Sequence, residues 1–181
     1  MVYVFLANGF EEVEAFTPID YLRRCEVLDV QTVGVGGKMI TGAHGITTIT
    51  DLTVFDVEPE KIEMIILPGG MPGTINLEKS QQVQEIIDYC IENDKPIAAI
   101  CAAPSILGHK GLLKNKNAVC YVGFEDELEG ANVSFDPVKV DGNLITARGA
   151  GVANQFSFEI INFLLGERKV AKVRDSVLWE K

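Results

Sequence analysis

Short apolar runs alternate along this chain with stretches in which apolar residues recur every three or four positions. That pattern predicts strands alternating with helices. Residues 2–6 are continuously apolar and end in Ala7-Asn8-Gly9, as a buried strand running into a turn does. Residues 11–24 follow helical spacing through Val13, Phe16, Ile19 and Leu22, and Pro18 inside them predicts a late start or a kink. Residues 27–35 read as a second strand, punctuated by Gly34, Gly36 and Gly37. Residues 46–54, ITTITDLTV, have the β-branched density of one or two strands in a hairpin-like insert.

Residues 63–67 predict another buried strand, ending in Pro68-Gly69-Gly70-Met71-Pro72-Gly73. Ser80 is the expected N-cap of a helix whose apolar face is Val83, Ile86, Ile87, Cys90 and Ile91, which assigns Cys90 to the core. Residues 96–100 form a short apolar strand, and Pro104 is expected in the first turn of a helix running to about His109. Beyond it come a strand at 118–121, a strand pair near 133–135 and 138–140, and a strand at 144–147. Phe156, Ile160, Phe163 and Leu164 mark the inner face of a helix stopped by Gly166, and 170–178 a final helix. The expected fold is α/β, a mostly parallel sheet with helices on both faces. With no repeat and no linker, 1–181 reads as a single domain. In such folds a site lies at the carboxyl ends of the strands.

A formal charge of −10 and a pI near 4.7 argue against strong nucleic-acid binding and against an anionic membrane partner. No segment approaches a membrane span, and the first apolar run is too short for a signal peptide, so the expected location is cytoplasmic. Cys25, Cys90, Cys101 and Cys120 contain no CxxC spacing, which fits a reducing compartment and speaks against zinc.

Cys101 stands where the buried strand turns into the helix, so its thiol projects from a sharp elbow towards free backbone N–H groups. Those donors predict a depressed thiol pKa; the competing reading is a small buried hydrophobe. Glu11, Glu12 and Glu14 read as first-turn acids facing solvent. Glu14 is set apart by its apolar neighbours Val13, Ala15 and Phe16, and is expected to turn inward, stay protonated and donate to a thiolate. Gly69-Gly70 permits close approach of a ligand, and the N–H groups of Gly70 and Ala102 would together form an anion hole. His109 is expected to cap its helix, eight residues beyond the cysteine, and His44 sits in a glycine-flanked loop.

The segments ILPGGMPG, AAICAAP, FEEVEA and ITARGAG, in this order, resemble the ThiJ/PfpI superfamily, in the branch of the parkinsonism-associated protein deglycase. The resemblance runs over nearly the whole chain and implies a flavodoxin-like three-layer sandwich and a homodimer. It transfers the family's elbow cysteine to Cys101, its protonated glutamate to Glu14 and its anion-binding N–H groups to Gly70 and Ala102. The protease-like branch has a histidine directly after the cysteine where this chain has Ala102. The deglycase branch often has one where this chain has Tyr121, which with Gly69 becomes a pocket candidate. The implied function is a cysteine-dependent enzyme, cofactor-independent and metal-free, converting reactive carbonyls to hydroxy acids in the manner of a glyoxalase or deglycase. Its partners would be methylglyoxal or another small carbonyl substrate, or a glycated protein or amino acid. One alternative is an oxidative-stress sensor or chaperone working through Cys101 oxidation. Another is a small-molecule hydratase or amidase on the same scaffold.

Overall fold

The computed structural model describes residues 1–179; the span 1–181 expected as one domain ends in two residues that lie outside the described part. Strand β1 (Val2–Ala7) leads into helix α1 (Glu12–Arg23) and strand β2 (Val30–Val35). A hairpin of β3 (Met39–Thr41) and β4 (Thr47–Ile49) and a short strand β5 (Leu52–Thr53) follow. The middle of the chain forms β6 (Met64–Leu67), α2 (Gly73–Lys79), α3 (Gln81–Glu92), β7 (Ile97–Ile100) and α4 (Pro104–His109). Then come β8 (Asn117–Ala118), β9 (Asn132–Val133), β10 (Val138–Asp141), β11 (Leu144–Ala147), α5 (Ala153–Leu165) and α6 (Glu167–Ser176).

The main sheet has the order β10-β11-β7-β6-β1-β2-β5, parallel throughout except for β10 against β11. Successive residues of each strand point to opposite faces. Tyr3, Phe5, Ile65, Leu67 and Ala99 meet α3 and α4 on one face, through Val83, Ile87, Cys90, Ile106 and Leu107. Val2, Val4, Leu6, Ile66, Ala98 and Ile145 meet α1, α5 and α6 on the other, through Ala15, Leu22, Phe156, Ile160, Ile161 and Val170. Each fully buried aliphatic side chain of this kind contributes about 1.5–3 kcal/mol. The result is a three-layer sandwich. Counting only the interior parallel strands β1, β2, β6, β7 and β11 gives the flavodoxin-like order 2-1-3-4-5. Its switch point, where the chain returns to the other side of β1, lies between β1 and β6.

Several expectations change. Helix α1 starts on time and runs through Pro18. The insert splits: β4 pairs with β3, while β5 joins β2 at the edge of the main sheet. Helix α2 was not expected, because Gly73 at its start carries no helix signal; Ser80 then caps α3, its hydroxyl accepting from the Val83 N–H. The strands near 133 and 138 do not pair with each other: β9 pairs with β8, and β10 with β11. Only Asn117–Ala118 of the 117–121 stretch is strand, and Tyr121 lies beyond it. Ile91 and Phe163, both 39% exposed, fall off the buried stripe because a 3.6-residue turn rotates them past its edge.

Candidate active site

The carboxyl ends of β1, β6, β7 and β11 bring one cluster together. Cys101 follows β7 directly and has φ +66, a left-handed conformation that is rare outside glycine. That turn lifts its side chain out of the strand direction. It is held from both sides: the Cys101 N–H donates to Ala147 O at 2.8 Å, and the Tyr121 N–H donates to Cys101 O at 2.8 Å. The thiol is half-buried, whereas Cys25, Cys90 and Cys120 are buried. The backbone N–H groups of Ala102 and Gly70 both reach the Cys101 sulfur.

Glu14, only 1% exposed, reaches the same point from α1. The helix presents it because the Glu11 carboxylate at the N-cap accepts from the Glu14 N–H at 2.7 Å and fixes the first turn. Its carboxyl accepts from Gly69 N–H at 3.0 Å and from Ala150 N–H, and shares a hydrogen bond with Cys101. Gly69 is required by space: a Cβ there would stand 2.6 Å from both Cys101 Cβ and Glu14 Oε2. Gly70 has φ +91, the conformation that turns its N–H inward. Tyr121 is 53% exposed, and its ring edge and Glu14 Oε1 converge on Gly149. A depression of about 410 Å³ opens beside them, lined by Tyr121, Val122, Arg148, Gly149, Ala150, Gly151 and Val152.

Burial is the largest influence on both ionisable partners. It pushes Glu14 up to about 7. The Cys101 thiol is pushed up to about 12, by burial first and then by an ionised Glu14, against the opposing pull of the Ala102 and Gly70 N–H groups. The expectation that the elbow by itself depresses the thiol pKa is therefore corrected: two donors do not offset removal from water. Glu14 and Cys101 titrate as a pair. A protonated Glu14 removes the repulsion and turns it into an O–H donor to sulfur, and only that state of the pair stabilises a thiolate.

Glu12 corrects a second expectation. It is buried, not solvated, and its carboxylate accepts from the His44 N–H at 2.8 Å and bonds the His44 ring at 2.8 Å. Burial raises its pKa, yet those hydrogen bonds hold it below the usual carboxylate value. The sequence had no signal for this contact, because the hairpin of β3 and β4 carries His44 to α1. Glu11, Glu12 and His44 place ligand atoms within 4.8 Å of one another, but the imidazole and Glu12 already satisfy each other. His109 ends α4 away from Cys101, its Nδ1 bonded to Glu78 at 2.5 Å and its Nε2 to Glu127 at 2.7 Å. Two carboxylate partners, Glu78 first, raise its pKa above the ordinary imidazole value. The Gly149-Ala150 turn was seen in sequence only as part of a motif, although Ala150 N–H binds Glu14.

A model of the DJ-1/PfpI family matches residues 1–163. The Drosophila melanogaster protein dj-1beta is 33% identical over 178 residues, 97% of this chain and 95% of that protein. The deglycase PfpI of Pyrococcus furiosus is 33% identical over 161 residues, 87% of this chain and 95% of that protein. Oxidized DJ-1 of Toxoplasma gondii superposes with a TM-score of 0.94 at 30% identity, covering 99% of this chain and 98% of that one.

Proposed function

Because the chain belongs to the DJ-1/PfpI family, we propose that it is a cysteine-dependent, cofactor-independent enzyme of the deglycase or glyoxalase type. Its substrates would be α-oxoaldehydes such as methylglyoxal, or the adducts these leave on amino groups and thiols. The observation that carries this reading is the convergence on one sulfur of two backbone N–H donors and a buried carboxyl. With Glu14 protonated, the Cys101 thiolate adds to the aldehyde carbon, and the carbonyl electron pair moves to oxygen. The Gly70 and Ala102 N–H groups then hold the oxyanion, which takes the proton from Glu14. Glu14, now a carboxylate beside the adduct, removes the C–H proton; the resulting enediol takes it back at the neighbouring carbon and becomes a thioester. Water cleaves the thioester, releasing an α-hydroxy acid and restoring the thiol. The sum is α-oxoaldehyde plus water to α-hydroxy acid, with no external oxidant. The Tyr121 hydroxyl serves as pocket wall and hydrogen-bond donor.

The oligomer we propose is a homodimer. Exposed Val13, Met39 and Ile49 (50%, 71% and 76% exposed) offer apolar surface on α1 and on the β3–β4 pair. Four free thiols fit a reducing, cytoplasmic setting, and among the described residues no helix is long and apolar enough to cross a membrane. Redox sensing is the second reading, favoured by Cys101 being the one thiol of the four that is not fully buried. Purified protein incubated with methylglyoxal separates the two. Lactate formed by wild type and not by Cys101→Ser supports the enzyme. Absence of lactate, with clean arrest of Cys101 at sulfinate under peroxide, supports the sensor.

A further inference from the structure

The depression beside Tyr121 and Gly149 has a definite charge. Its lining includes Arg148 and no carboxylate side chain, although the chain as a whole carries −10. Arg148 follows β11 directly, and its backbone is fixed by the N–H bond to Pro137 O at 3.1 Å. The residue is half-buried, and one of its guanidinium N–H groups donates to Phe135 O at 3.2 Å in an exposed position. Among the described residues no carboxylate lies within 4.0 Å of it, unlike Arg23, Arg24 and Arg174, which all have acidic partners. An arginine without an acidic partner keeps donors available to an incoming anion. A guanidinium offers five N–H donors in a planar fork that matches a carboxylate. Arg148 is also tied to the reacting thiol, because the residue before it, Ala147, accepts the Cys101 N–H at 2.8 Å.

We infer that Arg148 selects carbonyl substrates that carry a carboxylate, the acid group resting on the guanidinium while the aldehyde carbon meets the Cys101 sulfur. This rests on the reading of Cys101 as the nucleophile and narrows the substrate class to α-oxoaldehydes with an acidic tail, with methylglyoxal as a poorer, neutral substrate. The chemistry at the carbonyl is unchanged; only the far end of the molecule is recognised.

Alkylation tests the anion site without requiring turnover. Iodoacetate and iodoacetamide carry the same leaving group and differ in charge. Their rate ratio at Cys101, divided by the ratio for a small free thiol in the same buffer, reads the anion site directly. Wild type should show a normalised ratio raised roughly tenfold, the lower end expected for a charge-assisted hydrogen bond. Arg148→Met should return it towards unity, and Arg148→Lys, which keeps the charge and the fold but loses the fork, should lie between. A wild-type ratio near unity, or one that Arg148→Met and Arg148→Lys leave alone, overturns the inference. In parallel, kcat/KM for dioxovalerate relative to methylglyoxal should fall in Arg148→Met. Turnover of methylglyoxal without an iodoacetate preference removes the Arg148 site and leaves the enzyme standing. An iodoacetate preference lost in Arg148→Met, with no turnover of either carbonyl, keeps the anion site and removes the catalytic reading.

Discussion

Glu14→Gln should remove the share of the stability loss at rising pH that this one buried carboxyl causes in wild type. The buried carboxyl titrates at about 7 against an ordinary 4.5. Below the ordinary value the native and unfolded chains both hold the proton, and burial costs nothing extra. Between the two values the unfolded chain releases its proton while the native chain keeps it, so native stability falls as pH rises. Above about 7 the native chain ionises too and the loss is complete. At about 1.4 kcal/mol per pH unit, the gap between 4.5 and about 7 amounts to about 3 kcal/mol. For a chain of 181 residues that corresponds to a midpoint difference of roughly 6–12 °C. The substitution also changes hydrogen bonds with Gly69, Ala150 and Cys101, so the informative quantity is its effect at about pH 8 minus its effect at about pH 5. Urea titrations at both pH values, with protein concentration held fixed, should show Glu14→Gln gaining about 3 kcal/mol on wild type between them. Parallel pH profiles for wild type and Glu14→Gln would refute burial as the cause of the raised pKa.

Turnover offers a second reading of the same residue: Glu14→Gln cannot transfer a proton, and the rate of lactate formation from methylglyoxal should fall by roughly 10²–10⁴. Iodoacetamide labelling followed by peptide mapping should modify Cys101 before Cys25, Cys90 or Cys120, because its thiol is half-buried and theirs are buried; earlier labelling of any of the three would reject the site. Gly69→Ala should cost about 1–3 kcal/mol in urea unfolding and slow Cys101 labelling, because the new methyl would stand 2.6 Å from Cys101 Cβ and Glu14 Oε2. Glu12→Ala should cost about 1–3 kcal/mol and speed hydrogen exchange at the His44 amide, which loses its acceptor; unchanged exchange would show that Glu12 does not hold the hairpin.

What the sequence disclosed tracks how local each feature is. The apolar run at 144–147 coincides with β11, and Ser80 and Gly166 mark helix ends where expected, because each depends on neighbours a few residues away. The elbow and the glycine pair were visible for the same reason. Glu14 was separable from Glu12 only in part: flanking apolar residues signal burial, but Glu12 is buried by a hairpin more than thirty residues onward. The short strands between 117 and 141 misled because two-residue ladders leave no periodicity to read. The thiol pKa went the other way because donors can be counted in a sequence and desolvation cannot. Arg148 appeared within a motif, and its missing counter-ion is a property of space alone.

Two bonds grip the left-handed backbone of Cys101, one to Ala147 and one from Tyr121. Both partners are synthesised after it, the later one 46 residues downstream. A growing chain that has emerged only as far as the elbow therefore carries an ordinary cysteine in a relaxed turn, without its neighbouring carboxyl locked by Ala150. Reactivity should switch on late in biosynthesis, after β11 has docked. Trapped intermediates, truncations ending before β11 and aged protein that has lost this strand should all label as unremarkable thiols, which makes the chemistry of one sulfur a reporter of whether the whole sheet has closed.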